Sequence, residues 1–287
     1  MSHHVDTGVE SLSSHDFARI RELIYAQAGI NLGVDKKTMV EVRLKRRLRD
    51  LNMSSYRDYC EFVFSNGGIK DELVSLINVI TTNKTDFFRE PAHFDFLSQS
   101  GLAEMSGKLD GARALLGWSA GCSSGEEPYT LAMVLSEYAA LHSGFRFKLL
   151  ATDISTAMLE KGRLGIYTEE CAQPIPLQLR RKYLLRSREG ESRRVRIAPE
   201  LRRAVEFRRL NLMDASYEMA ERADFIFCRN VLIYFNRATQ ESILRKLIAR
   251  LVPAGHLFVG HSETLHDMNL PIVPVAPALY RKADVNA

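Results

Sequence analysis

The sequence predicts an α/β fold with a doubly wound, mainly parallel sheet, preceded by a small all-helical domain. Two observations carry this prediction. Up to about residue 82, apolar residues recur at spacings of three and four, as in amphipathic helices. Beyond residue 112, short apolar runs alternate with helical patterns, as in βαβ units. The 287 residues are enough for two ordinary domains.

The bulk composition is that of a globular protein and excludes several function classes. Hydrophobic residues make up 46% of the chain, charged residues 26%, and the net charge is only +4. The N-terminal stretch lacks the apolar region of a signal peptide, and no apolar run is long enough to span a bilayer. The four cysteines form no CxxC pair and the histidines form no HExxH motif. We therefore expect a reduced, cytoplasmic protein without a structural metal.

Four amphipathic helices are expected in the N-terminal domain, which we place at residues 1–82. They are predicted from capping residues, from glycines and from apolar residues spaced by three or four. Their expected ranges are about 13–28, 36–51, 55–66 and 73–80. The glycine pair at 67–68 is expected to end the third helix. Together these helices predict a small bundle.

The second of these helices, at 36–51, is strongly basic outside its apolar stripe. Its cationic residues are Lys36, Arg43, Lys45, Arg46, Arg47 and Arg49. Such a helix can simply present a solvated face. It can also follow the phosphates of a nucleic acid, or dock on an acidic helix that exposes glutamates on every turn. The residues alone leave these three interpretations open.

The parallel sheet is expected in a domain at 112–287, after a linker segment at 83–111. Short apolar runs predict strands at 112–119, 147–153, 204–212, 224–230, 256–261 and 278–282. The other expected elements are helices from Pro91, from Pro128, from Ser155 and over 237–251, and a turn at 253–255. The alternation breaks between Gly165 and Ala204, where prolines, arginines and a hairpin signal at Gly190 predict an insertion at about 166–203.

The turn after the first predicted strand, GCSSGEEP at 121–128, is rich in glycine but does not suit a phosphate. A P-loop needs a lysine followed by serine or threonine, whereas this turn has Glu126 and Glu127 at that place. Two carboxylates at a helix N-terminus would repel a phosphate. A ligand that is cationic near the turn is therefore favoured. The alternative is that the glutamates only complement the helix dipole, which is the role we expect for Glu126.

Three further strand ends carry polar residues, so that four ends converge at one edge of the expected sheet. These residues are Asp153, Asn211 and Asn230. Asp153 comes 28 residues after Gly125 and suits the diol of a ribose. A nucleoside that also carries positive charge is S-adenosylmethionine, whose ammonium can pair with a carboxylate of the turn. As alternatives, Asp153 could cap the next helix and the asparagines could be turn residues.

Taken in order, the motifs of the chain resemble those of the chemotaxis receptor glutamate methyltransferase family (CheR). These motifs are TTNKTDFFRE at 81–90, SSGEEPYT at 123–130, ATDIS at 151–155, LNL at 210–212, FCRNVLIYF at 227–235 and GHSE at 260–263. They match in order and spacing across nearly the whole chain, and the last two together are highly specific. The resemblance implies the fold of S-adenosylmethionine-dependent methyltransferases. It also implies methylation of glutamate side chains on chemoreceptors, forming methyl esters for adaptation in chemotaxis signalling.

The resemblance assigns residues to the cofactor, whose product is S-adenosylhomocysteine. The expected contacts are Asn83, Thr85, Arg89, Glu127, Asp153, Asn211, Leu212, Asn230 and Val231. Glu127 is expected at the methionyl ammonium and Asp153 at the ribose. Residues 211–212 and 230–231 are expected around the adenine.

The resemblance also implies how a receptor is held. Four arginines are the expected docking residues for the cytoplasmic helical domain of the receptor: Arg43, Arg46, Arg47 and Arg49. The insertion at 166–203 is expected to form a small antiparallel β-subdomain. Family members that bind a peptide at the receptor C-terminus tend to have a glycine-x-glycine hairpin there. Here SREGES at 187–192 has one glycine, so we expect no dependence on such a tether.

Arg89 and Tyr234 are the expected catalytic residues. A glutamate carboxylate is already ionised near neutral pH, so its methylation needs no general base. The enzyme has to align the carboxylate with the methyl group and exclude water. We expect Arg89 to orient the carboxylate with help from Tyr234. As alternatives, Arg89 could be a surface residue and Tyr234 a core residue, while His261 is expected to be structural.

Two other function classes agree less well with the motifs. A nucleic-acid methyltransferase would use the basic helix, but CRNVLIYF lacks the prolines of a base-methylating motif. A non-catalytic adaptor that binds S-adenosylmethionine would need Glu127 and Asp153, but neither Arg89 nor Tyr234. We therefore expect a monomeric cytoplasmic enzyme that acts on chemoreceptors, binds no nucleic acid and does not insert into a membrane.

Overall fold

The computed structural model describes most of the chain, namely residues 11–65, 68–109, 113–186 and 193–283, without the side chains at 70 and 71. The chain divides into two compact units between Thr82 and Asn83. The hairpin expected around Gly190, with SREGES, lies outside the described residues. In these ranges, none of the helices combines the length and the apolar character needed to cross a bilayer.

The described part of the first unit is helical, as expected. It contains α1 (Ser14–Ala28), α2 (Lys37–Asp50), α3 (Tyr56–Val63) and α4 (Gly68–Ile80), with a 3-10 turn at Val34–Lys36. Helix α1 begins where Ser13 Oγ accepts a hydrogen bond from the backbone N–H of Asp16, and it ends at Gly29, whose φ is 70°. The expected role of Gly68 was wrong: α3 ends at Val63, and Gly68 is the first residue of α4.

The second unit is built on a mainly parallel sheet, which confirms the predicted fold class. The strands of the unit are β1 (Leu115–Ala120), β2 (Phe147–Asp153), β3 (Ile166–Thr168), β4 (Leu184–Arg186), β5 (Arg194–Ile197), β6 (Val205–Arg209), β7 (Ala223–Cys228), β8 (Leu251–Val259), β9 (Ile272–Ala276) and β10 (Leu279–Lys282). Within the described residues, seven of them form one sheet in the order β6-β2-β1-β7-β8-β10-β9. The first five in that order run parallel, while β10 is antiparallel to both β8 and β9.

Helices cover both faces of this sheet. The helices described in the second unit are α5 (Ala92–Phe96), α6 (Leu102–Ser106), α7 (Glu126–Leu141), α8 (Thr156–Leu164), α9 (Leu177–Tyr183), α10 (Pro199–Ala204) and α11 (Arg237–Ala249). Strand β7 is buried on both sides, with Phe225 and Phe227 in one core and Ile226 in the other. Helix α7 packs into the first core and α11 into the second. A sheet buried on both faces explains why its strands read as continuous apolar runs.

The insertion is a separate small sheet, as expected. Strands β3, β5 and β4 pair antiparallel in that order. The segment at 83–111, expected as a linker, is largely folded: its described residues include α5 and α6 and belong to the second unit. Phe87, Phe94 and Leu102 from this segment are buried in the core that contains α7.

The sheet differs from the sequence predictions in three places. The turn expected at 253–255 is part of β8, because the register with β7 jumps from Ala223↔Leu251 to Phe225↔His256 and the intervening residues form an irregularity. Strand β9 was not expected. The third predicted strand, 204–212, is shorter: β6 ends at Arg209, so LNL follows the strand instead of belonging to it.

Candidate active site

The carboxyl ends of four neighbouring strands meet at one edge of the sheet. Strands β6, β2, β1 and β7 are adjacent and parallel. From β1 the chain continues to β2 and β6 on one side, and later to β7 and β8 on the other. The order therefore reverses between β1 and β7, and such a switch point is where open α/β sheets bind ligands.

The glycine turn after β1 is held in a conformation that few residues tolerate. Gly121, Ser123 and Gly125 all have positive φ, at 86°, 48° and 100°. The backbone N–H groups of Gly121 and Cys122 donate to the carbonyl of Thr152 at 2.7 and 2.9 Å. A Cβ on Gly121 would lie 2.4 Å from Cγ2 of Val231. The turn therefore brings the ends of β1 and β2 together and lies directly against the segment after β7.

Glu127 lies at the start of α7, and only 14% of its side chain is exposed. Its Oε1 accepts a hydrogen bond from Ser119 Oγ at 2.7 Å, and its Oε2 lies 3.5 Å from Nη1 of Arg229. Burial raises the pKa of Glu127, although the nearby Arg229 charge and the Ser119 hydrogen bond oppose the shift. A cation at this place would stabilise the ionised form further.

Glu126 has a different environment, as expected. Ser124 Oγ lies 3.0 and 2.8 Å from its two carboxylate oxygens, and the thiol of Cys171 is also close, at 3.7 Å. The side chain is buried, which raises its pKa. Its oxygens are therefore used within the turn, so that of the two glutamates Glu127 is the one beside the cluster of charges at this edge.

Arg229 links the TTNKTDFFRE motif to the glycine turn, and it was not among the residues expected from the sequence. Its Nη1 lies 3.5 Å from Glu127 and its Nη2 lies 3.5 Å from Glu90. The same Nη2 donates to the carbonyl oxygen of Arg89. The side chain is only 1% exposed. The sequence does contain a signal for this residue, because Arg229 directly follows the apolar strand DFIFC. An arginine buried at such a place requires partners.

The turn at 230–234 is held by Glu263. Its two carboxylate oxygens accept backbone hydrogen bonds from Asn230 at 2.8 Å, Leu232 at 2.7 Å and Gly260 at 2.6 Å. The Asn230 side chain also donates to Glu90 at 3.3 Å, and Asn230 has a φ of 57°. These bonds explain why CRNV and GHSE occur together: the Glu of GHSE fixes the backbone of the turn. This role of Glu263 was not foreseen.

Asp153 lies at the end of β2, as expected, and connects the glycine turn to the start of the next helix. Its oxygens accept hydrogen bonds from the backbone N–H groups of Ser123 and Ser155, each at 2.8 Å. Helix α8 itself is capped by Ser155, whose Oγ accepts from Met158. Burial raises the pKa of Asp153 and the hydrogen bonds oppose this. Because each carboxylate oxygen can accept two bonds, Asp153 retains capacity for a ligand.

The remaining expected cofactor residues lie in three segments, at 83–89, at 211–212 and at Val231 beside Gly121. The Asn83 carbonyl accepts a hydrogen bond from Ser123 Oγ at 2.9 Å, which places 83–90, including Thr85, beside the turn. Asn211 follows β6 and accepts a bond from the Met213 N–H at 3.0 Å, as a turn residue would. Leu212 is buried beside it.

The two expected catalytic residues are both half-buried. Arg89 donates to the carbonyl of Lys84 at 3.1 Å, and its charge helps to lower the pKa of Glu127. Tyr234 ends the 3-10 turn Leu232–Tyr234 that follows Asn230. The structure therefore places the backbone of Arg89 against Arg229, which contacts Glu127, and it places Tyr234 on the segment fixed by Glu263.

A group of possible metal ligands also lies here. Among the described residues, Glu90, His93 and His261 can bring one ligand atom each within 4.8 Å of the others. His93 is buried, which lowers its pKa to about 4 and keeps the ring neutral at neutral pH. The guanidinium of Arg229, however, lies 3.5 Å from Glu90. This fixed positive charge disfavours a cation at the cluster.

The four arginines expected to dock a receptor fall into two classes within the first unit. Arg47 donates to both oxygens of the buried Glu72, at 2.7 and 2.6 Å, and Arg43 donates to the carbonyls of Ile80 and Thr81 at the end of α4. These two guanidinium groups stabilise the helical unit. Arg46 and Arg49 are exposed, so they are the ones available to a partner.

The residues at the sheet edge fit S-adenosylmethionine. Glu127 supplies a largely buried carboxylate, and Gly121 leaves the space that a side chain would fill against Val231. Nε and Nη1 of Arg229 are buried and have no hydrogen-bond partner among the described residues. Such donors normally bond to protein, ligand or ordered water, so this edge has open polar capacity for a ligand.

Comparisons with known proteins agree with this geometry over nearly the whole chain. Residues 15–81 match the family model for the all-alpha domain of CheR methyltransferase, and residues 83–275 match that for its SAM-binding domain. The chemotaxis protein methyltransferase of Escherichia coli K12 is 42% identical over 253 residues, covering 88% of this chain and 85% of that protein. The chemotaxis protein methyltransferase of Borreliella burgdorferi is 37% identical over 275 residues, covering 95% of each. The chain thus belongs to the CheR methyltransferase family, and its cofactor is S-adenosylmethionine.

Proposed function

We propose that the protein methylates glutamate side chains of chemoreceptors and forms glutamate methyl esters. The relatives are named chemotaxis protein methyltransferases, which supports the receptor as the substrate. The observation that carries the choice of a carboxylate is the position of Arg89. Its backbone carbonyl accepts a hydrogen bond from Arg229, the residue beside Glu127, and its side chain is half-exposed, so its guanidinium is a cation that an incoming carboxylate can reach.

In the proposed mechanism, the protein acts mainly by positioning the cofactor and the receptor carboxylate. When bound, S-adenosylmethionine supplies a methyl group already activated by the sulfonium. Glu127 would hold the ammonium and Asp153 would hold the ribose hydroxyls, so that these two carboxylates would position the cofactor at the sheet edge. Arg89 and Tyr234 orient the incoming carboxylate. Because that carboxylate is ionised at neutral pH, no residue has to remove a proton.

Arg89 should orient the carboxylate without neutralising it. A tight, dry ion pair would stabilise the negative charge that disappears when the ester forms. The half-exposed position of Arg89 and its bond to the Lys84 carbonyl support a weaker, guiding interaction. Arg229 is too deeply buried to take this role.

Labelled methyl transfer tests the proposed function. The purified protein is incubated with S-adenosylmethionine carrying a labelled methyl group, and with either receptor cytoplasmic fragments or RNA. We expect alkali-labile label on the receptor fragments only, because methyl esters of glutamate hydrolyse in base. A receptor fragment with glutamine at the methylated positions is the control. Base-stable label, on RNA or on protein, would contradict the proposal.

Charge reversal at both Arg46 and Arg49 is expected to weaken receptor docking. These exposed cations would attract an acidic helix mainly through long-range charge. The Arg46→Glu/Arg49→Glu variant should raise the KM for receptor fragments about tenfold at low salt and leave kcat nearly unchanged. Arg57→Glu on α3 is the matched control, since Arg57 is 80% exposed and pairs only locally with Glu61. Equal KM values for the two variants would rule out docking on α2.

A Gly121→Ala substitution is expected to damage the cofactor site. The new methyl group would lie 2.4 Å from Val231, on a residue with φ of 86°, so that Val231 and the turn must both shift. Affinity for S-adenosylhomocysteine, measured by calorimetry, should fall at least about tenfold. Gly144→Ala is the control, because Gly144 has a φ of 84° but nothing within 4 Å of its Cβ position. Equal affinities in the two variants would contradict the predicted damage to the cofactor site.

A further inference from the structure

We propose that Arg229 is a positioning residue that balances Glu127 against Glu90, so that the group presents a single net negative charge to the cofactor's ammonium. The proposal rests on the proposed pairing of Glu127 with that ammonium and adds to it. The glycine turn and the polar strand ends do not by themselves give Arg229 a role. The role follows from the position of Arg229 between two carboxylates.

The first argument is geometric. The Arg229 guanidinium lies 3.5 Å from a carboxylate oxygen of Glu127 and 3.5 Å from one of Glu90, and it also donates to the Arg89 carbonyl. One side chain therefore links the start of α7, the 89–90 segment and the end of β7. Phe94 and Phe227 lie against it, with ring centres 5.4 and 5.5 Å from its central carbon. Such packing fixes the guanidinium in one place.

The second argument is the charge of the cluster. Glu90 and Glu127 contribute two negative charges and Arg229 contributes one positive charge, which leaves a net charge of −1 in a buried region. The cofactor's ammonium brings +1 to this cluster, whereas the carboxylate of the same amino-acid tail brings −1 and needs a partner outside the cluster. Without Arg229, two buried carboxylates would share one region, and one of them would be driven to bind a proton.

The titration behaviour of the carboxylates supports this account. Burial raises the pKa of Glu127 and the Arg229 charge is the largest influence against it; Ser119 and Arg89 also lower it, and Glu90 raises it. Burial likewise disfavours ionised Glu90, yet Arg229 and the bonds from Asn230 and His261 outweigh it and lower its pKa. Arg229 therefore helps to keep both carboxylates charged.

Other titratable groups near this cluster do not replace Arg229. The thiols of Cys122 and Cys228 are buried, which raises their pKa values and keeps them neutral. His93 contacts Glu90, but its pKa is lowered to about 4, so it carries no charge at neutral pH. Arg89 is half-exposed, so solvent screens its charge more than that of Arg229.

The third argument concerns unused hydrogen-bonding capacity. Nε of Arg229 is buried and has no partner in the described part of the chain, while Nη1 and Glu90 Oε2 are in 3.5 Å ion pairs that lack hydrogen-bond geometry. A guanidinium that served only to hold the fold would be expected to use its donors in well-formed hydrogen bonds within the protein. The open Nε and the two long ion pairs are instead suited to a ligand or to water that a ligand displaces.

The test compares two ligands on Arg229 variants. S-adenosylhomocysteine carries the ammonium, whereas 5′-methylthioadenosine keeps the nucleoside and lacks the amino-acid tail. Arg229→Met should bind S-adenosylhomocysteine at least about tenfold more weakly near pH 7 and bind methylthioadenosine within about twofold of wild type. Arg229→Lys keeps the charge and should recover most of the loss.

The pH dependence gives a second readout that a purely structural role would not change. In Arg229→Met the pKa of Glu127 should rise further, so the affinity of this variant for S-adenosylhomocysteine should increase as the pH is raised through the neutral range and Glu127 ionises. The wild-type protein should vary less over this range. A Glu90→Gln/Arg229→Met double variant removes the second carboxylate as well, and should bind S-adenosylhomocysteine more tightly than Arg229→Met alone.

Two outcomes would overturn the proposal. In one, every Arg229 variant loses both ligands equally, with no pH dependence and no recovery in the double variant. In the other, Arg229→Met binds both ligands as the wild type does. A Glu127→Gln variant separates this failure from that of the proposed function: if it binds S-adenosylhomocysteine normally, the ammonium pairing itself is wrong. If it binds weakly while Arg229→Met does not, only the role of Arg229 is wrong.

Discussion

Replacing Glu127 with glutamine is expected to weaken S-adenosylhomocysteine binding by about 2 kcal/mol, or roughly thirtyfold. Glutamine has nearly the same shape and can still accept the hydrogen bond from Ser119 Oγ, so the substitution removes mainly the charge. An ammonium in this buried place would then lose its counter-ion. Binding of 5′-methylthioadenosine should stay within about twofold of wild type, because that ligand has no ammonium. Calorimetric titration of both ligands measures the difference.

Glu126→Gln is the matched control for this experiment. Glu126 is the neighbouring residue on the same helix and is also buried, but its oxygens accept from Ser124. We expect its replacement to leave the affinity for S-adenosylhomocysteine within about twofold. If the two variants bound this ligand equally well, the assignment of Glu127 to the ammonium would be wrong.

Replacing Glu263 with alanine is expected to have the largest effect on stability. The substitution removes the acceptor of three short backbone hydrogen bonds, from Asn230, Leu232 and Gly260. The side chain is buried, so water cannot easily take its place. With each unsatisfied buried group costing about 1–3 kcal/mol, we expect the free energy of unfolding to fall by about 4 kcal/mol. Urea denaturation measures this change.

The same Glu263→Ala variant should also lose affinity for S-adenosylhomocysteine, even at low temperature where it stays folded. The reason is that the 230–234 turn carries Asn230 and lies against Gly121. Glu241→Ala is the control, since Glu241 forms an exposed pair with Arg245 on α11. An unfolding midpoint equal to that of the control would contradict the structural role of Glu263.

The sequence was sufficient for the fold class and for the position of the site because both depend on local patterns. Strands buried on both faces read as apolar runs, and a polar residue after each run marks the carboxyl edge. Asp153, Glu127 and Asn230 were placed on this basis. The error at 253–255 has a similar origin: proline and glycine indicate a turn, but here the irregularity in the pairing of β8 with β7 accommodates them within a strand.

Residues that act through long-range contacts could not be placed from the sequence. Arg229 is separated by 102 residues from Glu127 and by 139 from Glu90, and only the folded chain brings the three together. The three bonds of Glu263 likewise cannot be read from GHSE. The arginines of α2 looked equivalent in the sequence, but Arg47 is bound to the buried Glu72.

The most direct test of the account is a crystal structure of the protein with S-adenosylhomocysteine. The account predicts the ligand's amino group within hydrogen-bonding distance of Glu127, its ribose hydroxyls at Asp153 and its adenine beside Val231. A ligand whose amino-acid tail lies away from Glu127, while that carboxylate keeps its contacts with Ser119 and Arg229, would contradict it.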